Sequence, residues 1–109
     1  MSDTFYIKQH DTSPAIGGIC LDGAGAVVNV TGASVVFSMR RRAGEVLVNR
    51  AVGAVVLGVA GTVKYEWIAD NTAITGLFEG EFELTYPSGA IETFPNNGYI
   101  SIRIGDDIA

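Results

Sequence analysis

Between residues 77 and 86 the chain alternates. Phe78, Gly80, Phe82, Leu84 and Tyr86 share one parity, and Leu77, Glu79, Glu81, Glu83 and Thr85 share the other. Period two predicts a half-buried strand, because a helix would scatter both sets around its circumference. Residues 87–90 (Pro-Ser-Gly-Ala) then read as a turn, 91–94 as the returning strand, and 95–98 (Pro-Asn-Asn-Gly) as a second turn. Beyond it Ile100, Ile102 and Ile104 point one way and Tyr99, Ser101 and Arg103 the other. Together these segments predict a three-stranded meander.

The first half repeats this style. Residues 4–9 and 15–21 read as a strand pair, followed by the turn Asp22-Gly23-Ala24-Gly25. In 34–40, Val35, Phe37 and Met39 face inward and Val36, Ser38 and Arg40 outward. Residues 41–44 turn the chain into a strand at 45–49, and 62–68 alternates again with Val63, Tyr65 and Trp67 on one side. A short helical turn is expected at 70–75, capped by Asp70. The uncharged segment 51–61 is read first as a strand buried on both faces. An edge strand covered by another subunit, or a simple loop, are the alternatives. Strands recurring about every eight to twelve residues, with glycine-rich turns and no helical stretch, predict an all-β fold, an antiparallel sandwich or barrel.

The chain has 109 residues, so residues 1–109 form a single domain. Charged residues make up 17% and apolar ones 48%, with a mean hydropathy of +0.30. Soluble surfaces usually carry about 25–35% charge, which suggests that another chain covers part of this one. The 14 glycines inflate the apolar count without adding much greasy area. A net charge of −5 argues against nucleic-acid binding, which trades on a basic face. No run approaches the roughly 18 apolar residues of a membrane span. Residues 1–10, with Asp3, lack the basic start and apolar stretch of a secretory signal, so the product is expected to stay in the cytoplasm where it is made.

Little in the sequence suggests chemistry. His10 is the only histidine and reads as exposed at a strand end; no triad or metal cluster can be assembled around it. Cys20 stands alone, excluding an internal disulfide, and reads as a small buried hydrophobe. Alternate residues on a strand lie about 7 Å apart, so Glu79, Glu81 and Glu83 read as a solvated face or a docking stripe and not as an acid–base pair. The turn at Asp22 lacks the further ligands of a calcium loop. No phosphate-binding loop is present, and the triplet Asn29-Val30-Thr31 matches a glycosylation site only at chance level. No enzyme activity, cofactor or metal is expected. Arg40, Arg41 and Arg42 read as a solvated hairpin tip, or as a patch pairing with acidic surface on a neighbour, including the glutamate face of an identical chain.

Seven elements in order carry a resemblance. They are Asp11-Thr12-Ser13-Pro14, Asp22-Gly23, residues 30–35 (Val-Thr-Gly-Ala-Ser-Val), 61–67 (Gly-Thr-Val-Lys-Tyr-Glu-Trp), 76–82 with its glutamates, 89–95 (Gly-Ala-Ile-Glu-Thr-Phe-Pro) and Gly98-Tyr99-Ile100. Across nearly its whole length the chain resembles the N-terminal domain of the baseplate upper protein of tailed bacteriophages, and small phage structural proteins similar to it. The resemblance implies an immunoglobulin-like β-sandwich of about seven to nine strands, an attachment module in the virion without catalysis. The baseplate proteins continue into a linker and a receptor-binding-protein platform, whereas this sequence stops at Ala109. That leaves room for a tail or baseplate accessory or for a capsid decoration (cement) protein. Its expected partners are other virion proteins, namely the major capsid protein or tail and baseplate proteins, or copies of itself.

Candidate interface anchors are Phe5, Tyr6, Arg41, Arg42 and Tyr99, chosen for lying near termini or turns or on the outward face. The competing class is a carbohydrate-binding sandwich for host-surface adhesion. It would want exposed aromatics on a flat face, and here only Tyr6 and Tyr99 fall outward.

Overall fold

The computed structural model describes residues 4–42 and 44–108. Ala43 of the predicted turn, residues 1–3 of the N-terminal segment, and Ala109 lie outside the described residues. The strands are β1 (Thr4–Lys8), β2 (Ile16–Ile19), β3 (Ser34–Arg41), β4 (Val46–Val52), β5 (Ala54–Leu57), β6 (Thr62–Tyr65), β7 (Gly76–Thr85), β8 (Ile91–Phe94) and β9 (Ile100–Gly105). They form a six-stranded sheet in the order β1-β9-β7-β3-β4, with β8 also paired to β7, and a three-stranded sheet in the order β2-β6-β5. The fold is all-β, a β-sandwich of two sheets.

Alternation places the core. Val35, Phe37 and Met39 of β3, Phe78, Phe82 and Leu84 of β7, and Ile102 and Ile104 of β9 are buried against Ile16, Val63, Tyr65 and Trp67 from the other sheet side. Phe37 is the centre: its ring stacks on Tyr65 at 4.9 Å, meets Trp67 edge-on at 5.6 Å and tilts against Phe82 at 5.1 Å. Each such pair adds about 0.5–1.5 kcal/mol beyond area burial. Gly80 makes room for that ring, since a Cβ there would meet Ile102 Cδ1 at 2.8 Å and Phe37 Cζ at 3.0 Å.

Pairing differs from the sequence expectation in three places. Residues 4–9 and 15–21 do not form a strand pair: β1 runs parallel to β9, from Thr4↔Ser101 to Lys8↔Gly105, and β2 runs antiparallel to β6. The linker between them is drawn to the 69–72 turn, where His10 N–H donates to Thr72 O (3.1 Å), Gln9 Nε2 to Ala73 O (2.7 Å) and Thr72 Oγ1 to Asp11 O (2.9 Å). That attachment carries the chain from one sheet to the other.

Nor do the last three strands form a meander. β8 pairs with residues 82–85 of β7, and β9 with residues 76–80 on the same edge. With 10 residues, β7 is long enough to hold β8 (4 residues) and β9 (6 residues) end to end. The 95–99 loop lets the chain leave that edge and rejoin it.

The third difference is segment 51–61, which is not a strand buried on both faces. It comprises the end of β4, a crossing at Gly53, the edge strand β5 and a 3-10 turn at Gly58–Ala60. Gly53 N–H donates to Val35 O (2.9 Å), and a Cβ on Gly53 would meet Lys64 O at 2.7 Å. Only glycine allows the chain to pass this close to β6 as it changes sheets. The expected helical turn is a 3-10 turn at Ala69–Thr72, and Asp70 does not cap it. Asn71 Oδ1 does, accepting from Ile68 N–H (3.0 Å) and from Tyr65 Oη–H (2.6 Å).

Candidate functional site

Outward positions of the six-stranded sheet carry charge that is largely paired within the chain. Arg40 Nε donates to Glu79 Oε1 across the β3–β7 pair (3.1 Å), and Arg50 Nη1 meets Glu83 Oε1 at 2.7 Å. Arg40 is held protonated above its ordinary range, first by the hydrogen bond to Glu79 and then by Tyr99. Arg41 Nε lies 3.5 Å from Glu45 Oε1. Arg40 and Arg41 each therefore have an acidic partner inside the chain. Arg42 is exposed at the hairpin tip.

The Arg50–Glu83 pair depends on a β-bulge. Phe37 faces Ala51 while Met39 faces Val48, so Asn49 and Arg50 together oppose Ser38. Arg50 adopts φ 53°, a left-handed conformation that costs a side-chain-bearing residue about 1–2 kcal/mol. Its N–H finds Ser38 Oγ at 3.0 Å. Beside the bulge lies a polar cavity of about 270 Å³ whose lining includes Ser38, Arg40, Asn49, Glu79, Glu81 and Tyr99. The Arg40 guanidinium sits over the Tyr99 ring, 4.7 Å from its centroid.

The outer face of the three-stranded sheet is different. Ile19 and Leu57 flank Thr62 across the sheet, Leu21 bridges Val27, and Val27 Cγ1 reaches Gly61. With Val59 on the adjoining turn these side chains leave apolar surface uncovered; Ile19 is 59% exposed, Leu57 54% and Val59 67%. Lys64 and Glu66, 3.2 Å apart, form the ion pair at the far end of β6.

Edge protection follows the same division. In the six-stranded sheet β1 ends in Lys8, β4 is bulged, and β8 turns Glu92 toward the interior rim, where Glu92 Oε1 accepts from Tyr86 Oη–H (2.8 Å). Charges, bulges and inward-facing acids are the devices that stop edges from pairing with other chains. The edge strands β2 (Ile-Gly-Gly-Ile) and β5 (Ala-Val-Val-Leu) carry no charge, and rely on shortness and a register shift near Val56.

The five sequence-derived anchors do not meet in one patch. Tyr6 is 72% exposed on the outer face of β1, cross-strand from Arg103. Tyr99 is 46% exposed on the same sheet face, beside the polar cavity. Phe5 turns inward, half-buried, with its ring 5.9 Å from Trp67. Arg41 and Arg42 lie at the β3–β4 hairpin tip. Sequence reasoning missed Asn49 and Arg50, because only the bulge directs them to the cavity and to Glu83.

An apolar cleft of about 410 Å³ opens between β2 and β8, walled by Phe82, Phe94 and Pro95. Gly18 leaves room there, since a Cβ on it would touch only Phe82 Cε2, at 3.9 Å. Cys20 also borders the cleft but is 1% exposed, and its thiol is pushed up to about 11, chiefly by burial and then by Glu92. A reactive cysteine would need the opposite shift. Among the described residues, no three His, Cys, Asp or Glu side chains converge as a metal site, and no helix is long and apolar enough to cross a membrane. Compared with known proteins, the chain matches no family model and no curated protein.

Proposed function

We propose that this protein is a non-enzymatic structural module of a tailed-bacteriophage virion, docking on a repeating lattice as capsid decoration or as a tail or baseplate accessory. The observation that carries the reading is the uncovered apolar outer face of the three-stranded sheet, around Ile19, Leu57 and Val59. Exposed apolar patches flanked by polar surface mark sites where another protein sits. The uncharged edges β2 and β5 continue that surface, whereas on the opposite sheet two ion pairs, Arg40–Glu79 and Arg50–Glu83, close within the chain. The ordered turn and strand elements from Asp11 to Ile100 support the phage assignment through their resemblance to baseplate upper proteins.

The test is location. Particles purified from cells that make the protein are labelled with a specific antibody and imaged by cryo-EM, and copies are expected at regular spacing on heads or tails. A second protein preparation carries Leu57→Asp with Val59→Asp. Exposed substitutions of this kind change stability by about 0.5 kcal/mol or less, so this form stays folded while it drops out of the particles. An inert monomer absent from every particle fraction would overturn the reading.

A further inference from the structure

The outer face of the six-stranded sheet holds a feature that docking through the opposite face leaves unused. We propose that the polar cavity beside Tyr99 binds a saccharide that is neutral or carries an amino group. This inference stands on its own geometry and does not rest on the virion reading.

Its lining combines two kinds of group. One face of the half-exposed Tyr99 ring lies under the Arg40 guanidinium, which leaves the other as a flat apolar surface for the C–H face of a pyranose. Around it, Arg40, Asn49, Glu79 and Glu81 present planar polar ends whose paired donor or acceptor atoms match vicinal hydroxyls. A sugar ring is the ligand class that offers apolar faces and a hydroxyl rim together.

Some of these groups are fixed and others are uncommitted. Arg40 is held by Glu79 at 3.1 Å and lies over Tyr99 at 4.7 Å, so the charged part of the site is already in place before a ligand arrives. Ser38 Oγ accepts from Arg50 N–H, while its own proton has no acceptor among the described residues. Among the described residues, the Asn49 amide and the Glu81 carboxylate likewise have no side-chain hydrogen-bond or ion-pair partner inside the chain. The β4 bulge accounts for this arrangement: it places Asn49 at the cavity and sends Arg50 to Glu83.

Charge narrows the class further. One guanidinium against two carboxylates leaves negative charge in excess, which repels sugar acids and accepts neutral or amino sugars.

The experiment is a titration of the ¹⁵N-labelled protein with methyl glycosides of neutral, amino and acidic sugars, repeated with immobilised polysaccharides. Saturable shifts are expected at the amides of Ser38, Asn49, Glu81 and Tyr99, with acidic sugars at least about tenfold weaker. Tyr99→Ala is expected to weaken binding about tenfold, whereas Tyr99→Phe, which keeps the ring, stays within about threefold. Absence of shifts with every sugar at millimolar concentration would overturn the proposal, as would unchanged binding by a folded Tyr99→Ala protein. Shifts at these amides on adding particle proteins, with none from sugars, would overturn it in favour of a protein contact.

Discussion

On the six-stranded sheet the outward side chains Arg40, Glu79, Arg50 and Glu83 satisfy one another, and its edges carry a lysine, a bulge and an inward glutamate. On the three-stranded sheet the corresponding outward positions hold Ile19 and Leu57, and neither edge strand carries a charge. Both sheets share one core through Phe37 and Tyr65, so the contrast does not come from the interior. It lies in what each face leaves for another molecule. The paired face offers a shaped polar cavity, and the apolar face offers area.

The largest expected effect is at the join between the two sheets. Gly53→Val would push a side chain into Lys64 O, which approaches a Cβ position at 2.7 Å and belongs to backbone that cannot swing away. Overpacking of this kind costs about 1–3 kcal/mol, seen as a lower urea midpoint with little change in slope. A loss below about 0.5 kcal/mol would show that the sheets are not held at this close approach.

A smaller effect is expected on the paired face. Arg50→Ala removes the contact to Glu83 between two partly exposed groups and should cost no more than about 1 kcal/mol, less in high salt. Arg50→Gly removes the same contact but also relieves the residue at φ 53°, so it should be more stable than the alanine form by about 1 kcal/mol. Equal stabilities would mean that the bulge carries no backbone cost.

The smallest effect at neutral pH belongs to the rim. Burial, and then the hydrogen bond to Glu92, push the Tyr86 hydroxyl up to about 12, and burial also raises Tyr65. A folded-state pKa above the unfolded value near 10 means that the unfolded chain loses its proton first. The contribution is therefore complete below about pH 10 and is lost as pH rises toward 12. Thermal midpoints measured from pH 9 to 12 should fall, and Tyr86→Phe should flatten the fall without abolishing it, because Tyr65 and Cys20 also titrate late. An unchanged slope in Tyr86→Phe would place the alkaline loss elsewhere.

Much of this could be read from the chain. The parities of Val35, Phe37 and Met39, of Val63, Tyr65 and Trp67, and of Phe78, Phe82 and Leu84 all lead into the core. The outward placement of Tyr6 and Tyr99 follows from the same rule, and so does the face shared by Glu79, Glu81 and Glu83. Phe5 also obeys the rule: although its position near the terminus suggests exposure, the ring lies on the inward parity against Trp67.

Alternation is a local property, fixed by the geometry of successive residues on a strand, and so the sequence by itself determined, outside segment 51–61, most of the strands, their turns and the side each residue faces. Partnership between strands is not local. Whether β1 joins β2 or β9, and whether β9 lies outside β8 or follows it along β7, depends on linkers such as 9–11 binding to a turn some sixty residues away. The polar cavity belongs to this second category, since it needs a bulge in β4, a carboxylate stripe on β7 and a ring at the start of β9 to arrive side by side. Only tertiary structure could decide that, because no window of the sequence contains all three.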